Sequence, residues 1–174
     1  MELAHATVAS PVGNLSLVFD ADGRLRALDF GDYEDRKLRL LARQYGAVTL
    51  RAADPLKAHS DALAAYFDGD VHALDGLTTA TGGTPFQKTV WAALREIPPG
   101  ETMSYGALAA RVGTPKGSRA VGLANGANPI AIVVPCHRVI GANGTLTGFG
   151  GGLERKRWLL AHEARHVPAG ALFA

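Results

Sequence analysis

One cysteine, Cys136, is the entire thiol content of the 174 residues. That excludes an internal disulfide and any zinc site built on several thiolates, and leaves Cys136 as either an inert core residue or a chemical one. No stretch approaches the uninterrupted apolar length of a membrane-spanning helix. The opening MELAHATVASPVG has neither the basic flank nor the apolar run of a signal peptide, so the expectation is a soluble cytoplasmic chain without a membrane partner. With 47% hydrophobic and 20% charged residues the composition is that of a folded protein, not a disordered one.

The net charge of +2 hides an uneven distribution. Residues 1–84 hold 8 Lys and Arg against 12 Asp and Glu, whereas residues 85–174 hold 10 against 4. A basic second part beside an acidic first one suits a polyanionic partner, although solvated charge on a helical surface accounts for it equally well.

The first segment shows three runs of apolar alternation between Ala4 and Phe30, separated by Pro11-Val12-Gly13-Asn14 and Ala21-Asp22-Gly23. Alternation broken by turn residues predicts a three-stranded antiparallel meander. Helical spacing follows at 33–45 and again at 56–67, where Leu56, His59, Leu63, Tyr66 and Phe67 recur. Between Asp75 and Pro85 the chain is rich in Gly and Thr. This places a linker at 79–84 between a small α+β domain, 1–78, and a denser second domain, 85–166, with a loosely attached tail, 167–174. In the second domain Phe86, Val90, Trp91, Leu94 and Ile97 form one helical face, which stops at Pro98-Pro99-Gly100. Helices at 104–112 and 118–125, joined by Gly113-Thr114-Pro115-Lys116-Gly117, outline a helix-turn-helix. Ser104 is placed to cap the first of these helices. The small residues Ala120, Gly122 and Ala124 would let the second approach another surface closely, or pack tightly inside.

Chemistry concentrates in Asn128-Pro129-Ile130-Ala131-Ile132-Val133-Val134-Pro135-Cys136-His137-Arg138-Val139, where a short apolar run delivers a cysteine next to a base and a cation. A free thiol is only a few per cent ionised at neutral pH, so a neighbouring proton acceptor or positive charge decides whether it is a nucleophile.

Read together with Thr84-Pro85-Phe86-Gln87, Ser104-Tyr105-Gly106, Arg119-Ala120-Val121-Gly122 and Trp158-Leu159-Leu160-Ala161-His162-Glu163, this segment resembles the O6-alkylguanine-DNA alkyltransferase family in order and spacing. The resemblance covers about half the chain. It implies an α+β fold, with a small ribonuclease H-like antiparallel-sheet domain followed by a helical domain whose helix-turn-helix is of winged-helix type. By it, Cys136 is the alkyl acceptor, His137 the base acting through a water, and Glu163 the carboxylate that orients the histidine. Asn128 ties the helix-turn-helix to the active-site segment. Tyr105 helps rotate the target nucleotide and protonates the departing guanine. Arg119 fills the base stack, while Ala120, Gly122 and Ala124 face the minor groove of alkylated duplex DNA. Val139 offers its carbonyl and Gly150 its N–H to the guanine edge, and Lys156 supports this region. Phe149 departs from the family pattern, which has tyrosine there, and puts the substrate range in question.

No cofactor or metal is implied, and the protein is expected to be a monomer that acts once per molecule. Two other functions use the same residues. A cysteine hydrolase would need its histidine from a distant segment and an oxyanion hole, neither of which is evident. A lesion-binding module without chemistry would have no use for Cys136.

Overall fold

The computed structural model describes residues 1–146 and 148–167. The chain divides into two compact units, one formed by residues 1–83 with Pro129–Val133, the other by 84–128 with the residues from Val134 onward. The tail expected at 167–174 lies, beyond Val167, outside the described residues.

The first unit is built on a sheet of β1 (Glu2–Val8), β2 (Leu15–Phe19), β3 (Leu25–Phe30) and β4 (Thr49–Ala52) in the order β3-β2-β1-β4. The expected meander is present as antiparallel β1, β2 and β3, with Ala4 opposite Phe19 and Leu17 opposite Leu28. Its second turn is closed by Asp20, whose Oδ1 accepts from the N–H of Asp22 and of Arg24 at 3.0 Å, while Gly23 takes a φ of 79° that a side chain would resist. The sequence reading left out β4, which runs parallel to β1. Its four residues are mostly exposed, and the alternation of Thr49-Leu50-Arg51-Ala52 is too short to stand out as a strand.

Every residue of β2 is buried, because both faces of this central strand are covered. Leu3, Val18 and Ala27 pack on one side with Leu41 of α1 (Glu34–Tyr45). From the opposite face Phe19 meets the ring of His59 on α2 (Lys57–Phe67), with ring centres 5.4 Å apart. The outer edge of β3 is also covered: Leu25 exchanges hydrogen bonds with Thr78 and Ala80, and Leu28 with Pro129 and Ala131. Both edge pairings satisfy backbone groups that a bare edge strand would expose. Within the second of these segments Ile132 has a φ of 69°. For a β-branched side chain this left-handed backbone costs about 1–3 kcal/mol, held in place by full burial.

The second unit begins with α3 (Pro85–Arg95). Thr84 Oγ1 accepts from the Gln87 N–H at 3.1 Å and the Gln87 side chain accepts from the Thr84 N–H at 3.0 Å, a reciprocal cap ahead of a proline at the first helical position. The expected face of α3 is the buried one at Val90, Trp91 and Leu94, continued by Ile97, with Phe86 half-buried. Next comes β5 (Met103–Ser104), followed directly by α4 (Tyr105–Arg111), which Ser104 caps by accepting from the Ala107 N–H at 3.0 Å. After Gly113, at a φ of 84°, the chain turns into α5 (Ser118–Gly126) to complete the helix-turn-helix. Trp91 Nε1 donates to the Ala124 carbonyl at 2.8 Å and locks α3 to α5. A single 3-10 turn, Cys136–Arg138, leads into β6 (Val139–Ile140), which pairs parallel with β5. The last helix is α6 (Leu153–His166).

Candidate active site

The 3-10 turn at Cys136–Arg138 is prepared by the residues on either side of it. Asn128, at the end of α5, donates from Nδ2 to the Val134 carbonyl at 2.8 Å. That bond joins the two points at which the second unit's chain is interrupted by Pro129–Val133. Pro135 fixes the backbone next, and the Cys136 N–H donates to the Val134 carbonyl at 2.8 Å. Cys136 is thereby held at only 8% exposure, with its carbonyl 3.5 Å from Asn125 Nδ2.

Three charged or titratable side chains lie fully enclosed beside this turn. His137 Nε2 is 2.8 Å from Glu163 Oε2, and both residues are completely buried. A carboxylate can only accept, so Nε2 carries the proton and Nδ1 is the basic nitrogen. Nδ1 is buried without a hydrogen-bond partner among the described residues. Burial holds the imidazole below its ordinary value; Glu163 pulls the other way, and Arg138 and Lys156 add to the lowering. At neutral pH the ring is therefore an uncharged acceptor. Burial by itself pushes the Glu163 carboxyl up, but His137 and Arg138 outweigh it and keep the group well below the usual carboxylate range.

Arg138 adds to the effect of His137. Its Nε donates to Glu163 Oε1 at 2.8 Å and Nη2 to Oε2 at 2.9 Å, a bidentate pair, while Nη1 donates to the Ile97 carbonyl at 2.6 Å. The cation expected to favour a thiolate is thus committed to Glu163. The cation that senses the sulfur is Lys156: burial lowers its ammonium and a charge on Cys136 offsets that lowering. Lys156 is fully buried, with Nζ donating to the Val139 carbonyl at 2.6 Å. Lys156 is therefore an enclosed group of this cluster and not a solvated surface charge.

The other predicted residues divide between this cluster and the surface. Tyr105, half-buried at the start of α4, lies beside Gly122, where an added Cβ would stand 3.8 Å from the ring. Arg119 and Ala120 are exposed on α5. Ala124 is not part of that outer face. At 3% exposure it belongs to the core, because its carbonyl receives the Trp91 indole and α3 covers it. The exposed position one turn after Arg119 and Ala120 is Leu123. Phe149 is half-buried and Gly150 exposed in the loop that returns to α6, where Gly152 N–H donates to the Phe149 carbonyl at 2.9 Å. Thr147 of this loop lies outside the described residues. The Val139 carbonyl accepts from Lys156, and Val139 itself stands opposite Met103 in the β5–β6 pair. Asn125 is a site residue to which the sequence reading gave no role, and for Arg138 that reading gave a cation favouring the thiolate, not the partner of Glu163. Among the described residues no three His, Cys, Asp or Glu side chains converge as metal ligands would.

The description "6-O-methylguanine DNA methyltransferase, DNA binding domain" matches residues 85–165, and the ribonuclease-like domain of the same family matches residues 3–81. The chain belongs to the 6-O-methylguanine DNA methyltransferase family. A methylated-DNA–protein-cysteine methyltransferase from Salmonella typhimurium is 54% identical over 166 residues, 94% of this chain and 96% of the relative. One from Methanosarcina acetivorans is 45% identical over 91% and 97%. Among solved structures of the methyltransferase family, O6-methylguanine methyltransferase of Mycobacterium tuberculosis superposes with a TM-score of 0.77 at 42% identity, covering 99% of each chain. A structure of the same mycobacterial protein in complex with DNA aligns equally well, at 42% identity over 98% of this chain and 99% of that one.

Proposed function

We propose that this protein reverses alkylation damage in DNA by drawing an O6-alkylguanine out of the duplex and moving the alkyl group onto Cys136. The observation that carries the assignment of residues is the enclosed Cys136–His137–Glu163 arrangement, with a basic nitrogen left open on His137. Glu163 holds the ring in the tautomer whose Nδ1 can accept a proton, and a bridging water carries that proton from the Cys136 thiol, since adjacent side chains seldom face each other. Lys156 attracts charge at the sulfur and so favours the thiolate. A new Sγ–C bond then forms as the C–O6 bond breaks. The electron pair departs with the guanine, which takes a proton from the Tyr105 hydroxyl, and the proton held on His137 passes through solvent to the Tyr105 phenolate. No oxidation state changes. A thioether is chemically stable, so each molecule acts once.

O6 of guanine lies on the major-groove edge of a stacked pair, where a protein thiol cannot line up behind the alkyl carbon. The nucleotide must leave the stack, at a cost of a few kcal/mol that Arg119 offsets by occupying the gap. In this reading α5 enters the minor groove with Arg119 and Ala120 on its outer face, Gly122 lies beside Tyr105, and a single copy of the chain suffices. Val139, Phe149 and Gly150 line the pocket that receives the base. Phe149 supplies a ring wall without a hydroxyl.

The test is the intact mass of the protein after incubation with an oligonucleotide carrying O6-methylguanine, followed by peptide mapping. One methyl group, about 14 Da, on Cys136 and no further gain is expected, with Cys136→Ala unmodified yet still bound to DNA. Repeated turnover, or a methyl group elsewhere, would overturn the proposal.

A further inference from the structure

Leu123 is 73% exposed, the most exposed large hydrophobic side chain within any helix of the described residues. It lies on α5 one turn after Arg119 and Ala120, on the face that those residues leave open to solvent. Nothing on the helix requires an apolar residue there, since the buried face is supplied by Val121, Ala124 and Asn125.

The surroundings identify the occupant. Between Glu101 and Glu154 the chain contains no Asp or Glu at all, while Arg111, Lys116 and Arg119 are exposed on or next to the helix-turn-helix. A leucine set among cations, in a segment free of carboxylates, is complementary to a polyanion that also presents apolar surface. The sugar walls and base edges of a duplex groove are such a surface.

We infer that Leu123 contacts the floor of the DNA minor groove beside the extruded nucleotide and makes transfer sensitive to the 2-amino groups of guanines flanking the lesion. This rests on the reading of α5 given above. Four residues of helix advance about 6 Å, so Leu123 falls within roughly two base pairs of the position that Arg119 fills. In the minor groove a G·C pair differs from A·T by the N2 donor of guanine. A leucine pressed against that donor excludes its water and accepts nothing in return, leaving it unsatisfied. Flanking A·T or inosine·C pairs carry no such donor.

The experiment compares alkyl transfer, under single-turnover conditions, from O6-methylguanine duplexes whose flanking guanines are intact or replaced by inosine. The protein with Leu123 should react about three- to tenfold faster on the inosine duplex, and most of that ratio should disappear in Leu123→Ala. Reaction with free O6-methylguanine base should be the same for both proteins, and an unchanged thermal midpoint confirms that the exposed substitution leaves the fold intact. Inosine also weakens pairing, so only the difference between the two ratios counts. Equal ratios in the two proteins overturn the inference. Arg119→Ala separates the two levels of failure: if it slows duplex repair while Leu123→Ala leaves the ratio intact, only the role of Leu123 is lost. If Arg119→Ala has no effect on duplex repair either, the placement of α5 fails with it.

Discussion

Glu163 satisfies two partners with two oxygens, and its replacement separates charge from shape. Glu163→Gln keeps the volume but leaves Arg138 buried without a carboxylate, the situation in which removing one partner of an enclosed pair costs about 3–5 kcal/mol. The variant is expected to lose that amount in urea unfolding, and to transfer alkyl groups slowly even where it remains folded, because His137 is no longer held in one tautomer. Full stability in urea would show that the Ile97 carbonyl alone suffices for Arg138. The same pair sets the response to acid. His137 is depressed below its ordinary 6.5 and Glu163 below its ordinary 4.5, so for each the unfolded chain binds a proton more readily than the folded one. Stability is therefore complete above both ordinary values and falls as the pH drops, first below about 6.5 through His137 and then below about 4.5 through Glu163. Thermal midpoints across pH 7 to 4 check the order, and a midpoint that rises on acidification contradicts the assignment of a neutral buried imidazole.

At the scale of helices and strands, α5 has one face fixed by Trp91 and the core and another presented outward at Arg119, Ala120 and Leu123. Arg119→Ala is expected to slow repair of duplex DNA by about tenfold or more while leaving reaction with free O6-methylguanine base unchanged, since only the duplex requires a filled stack. Comparable slowing of both reactions would assign Arg119 to the pocket. The elements themselves were largely legible in the sequence. Apolar spacing gave α1 to α3, Ser104 and Gly113 bracketed α4, and alternation gave the first three strands. What escaped has a common cause: β4, the β5–β6 pair and the pairing of Pro129 and Ala131 with Leu28 are made of backbone hydrogen bonds. Side-chain pattern does not record those in stretches of two to four residues. Ala124 shows the converse limit. A small residue reads the same whether it clears space for a partner or fills the core, and only the indole of Trp91 decides between them. Within the site, Cys136, His137 and Glu163 were legible through their family spacing, whereas Arg138's grip on Glu163 depends on a fold that brings residues 25 apart into contact.

For the molecule as a whole, charge is partitioned along the chain, with the first 84 residues acidic and the remainder basic. If binding rests on the exposed cations around the helix-turn-helix, two to four phosphate contacts predict that affinity for duplex DNA falls roughly ten- to hundredfold between 50 and 200 mM salt. Fluorescence anisotropy with an unmodified duplex measures the slope. A flat response would assign binding to apolar and hydrogen-bonded contacts alone.

The near-complete enclosure of Cys136 has a consequence for the protein's useful life before it ever meets a lesion. A single-use reagent must survive storage in a milieu of peroxides, quinones and stray electrophiles, any of which would disarm an open thiolate. On the mechanism proposed above, shielding the sulfur with Lys156 and His137 enclosed beside it makes the reagent durable: reactivity is reserved for a substrate shaped to enter, and the stock of competent molecules is set by damage rather than by age.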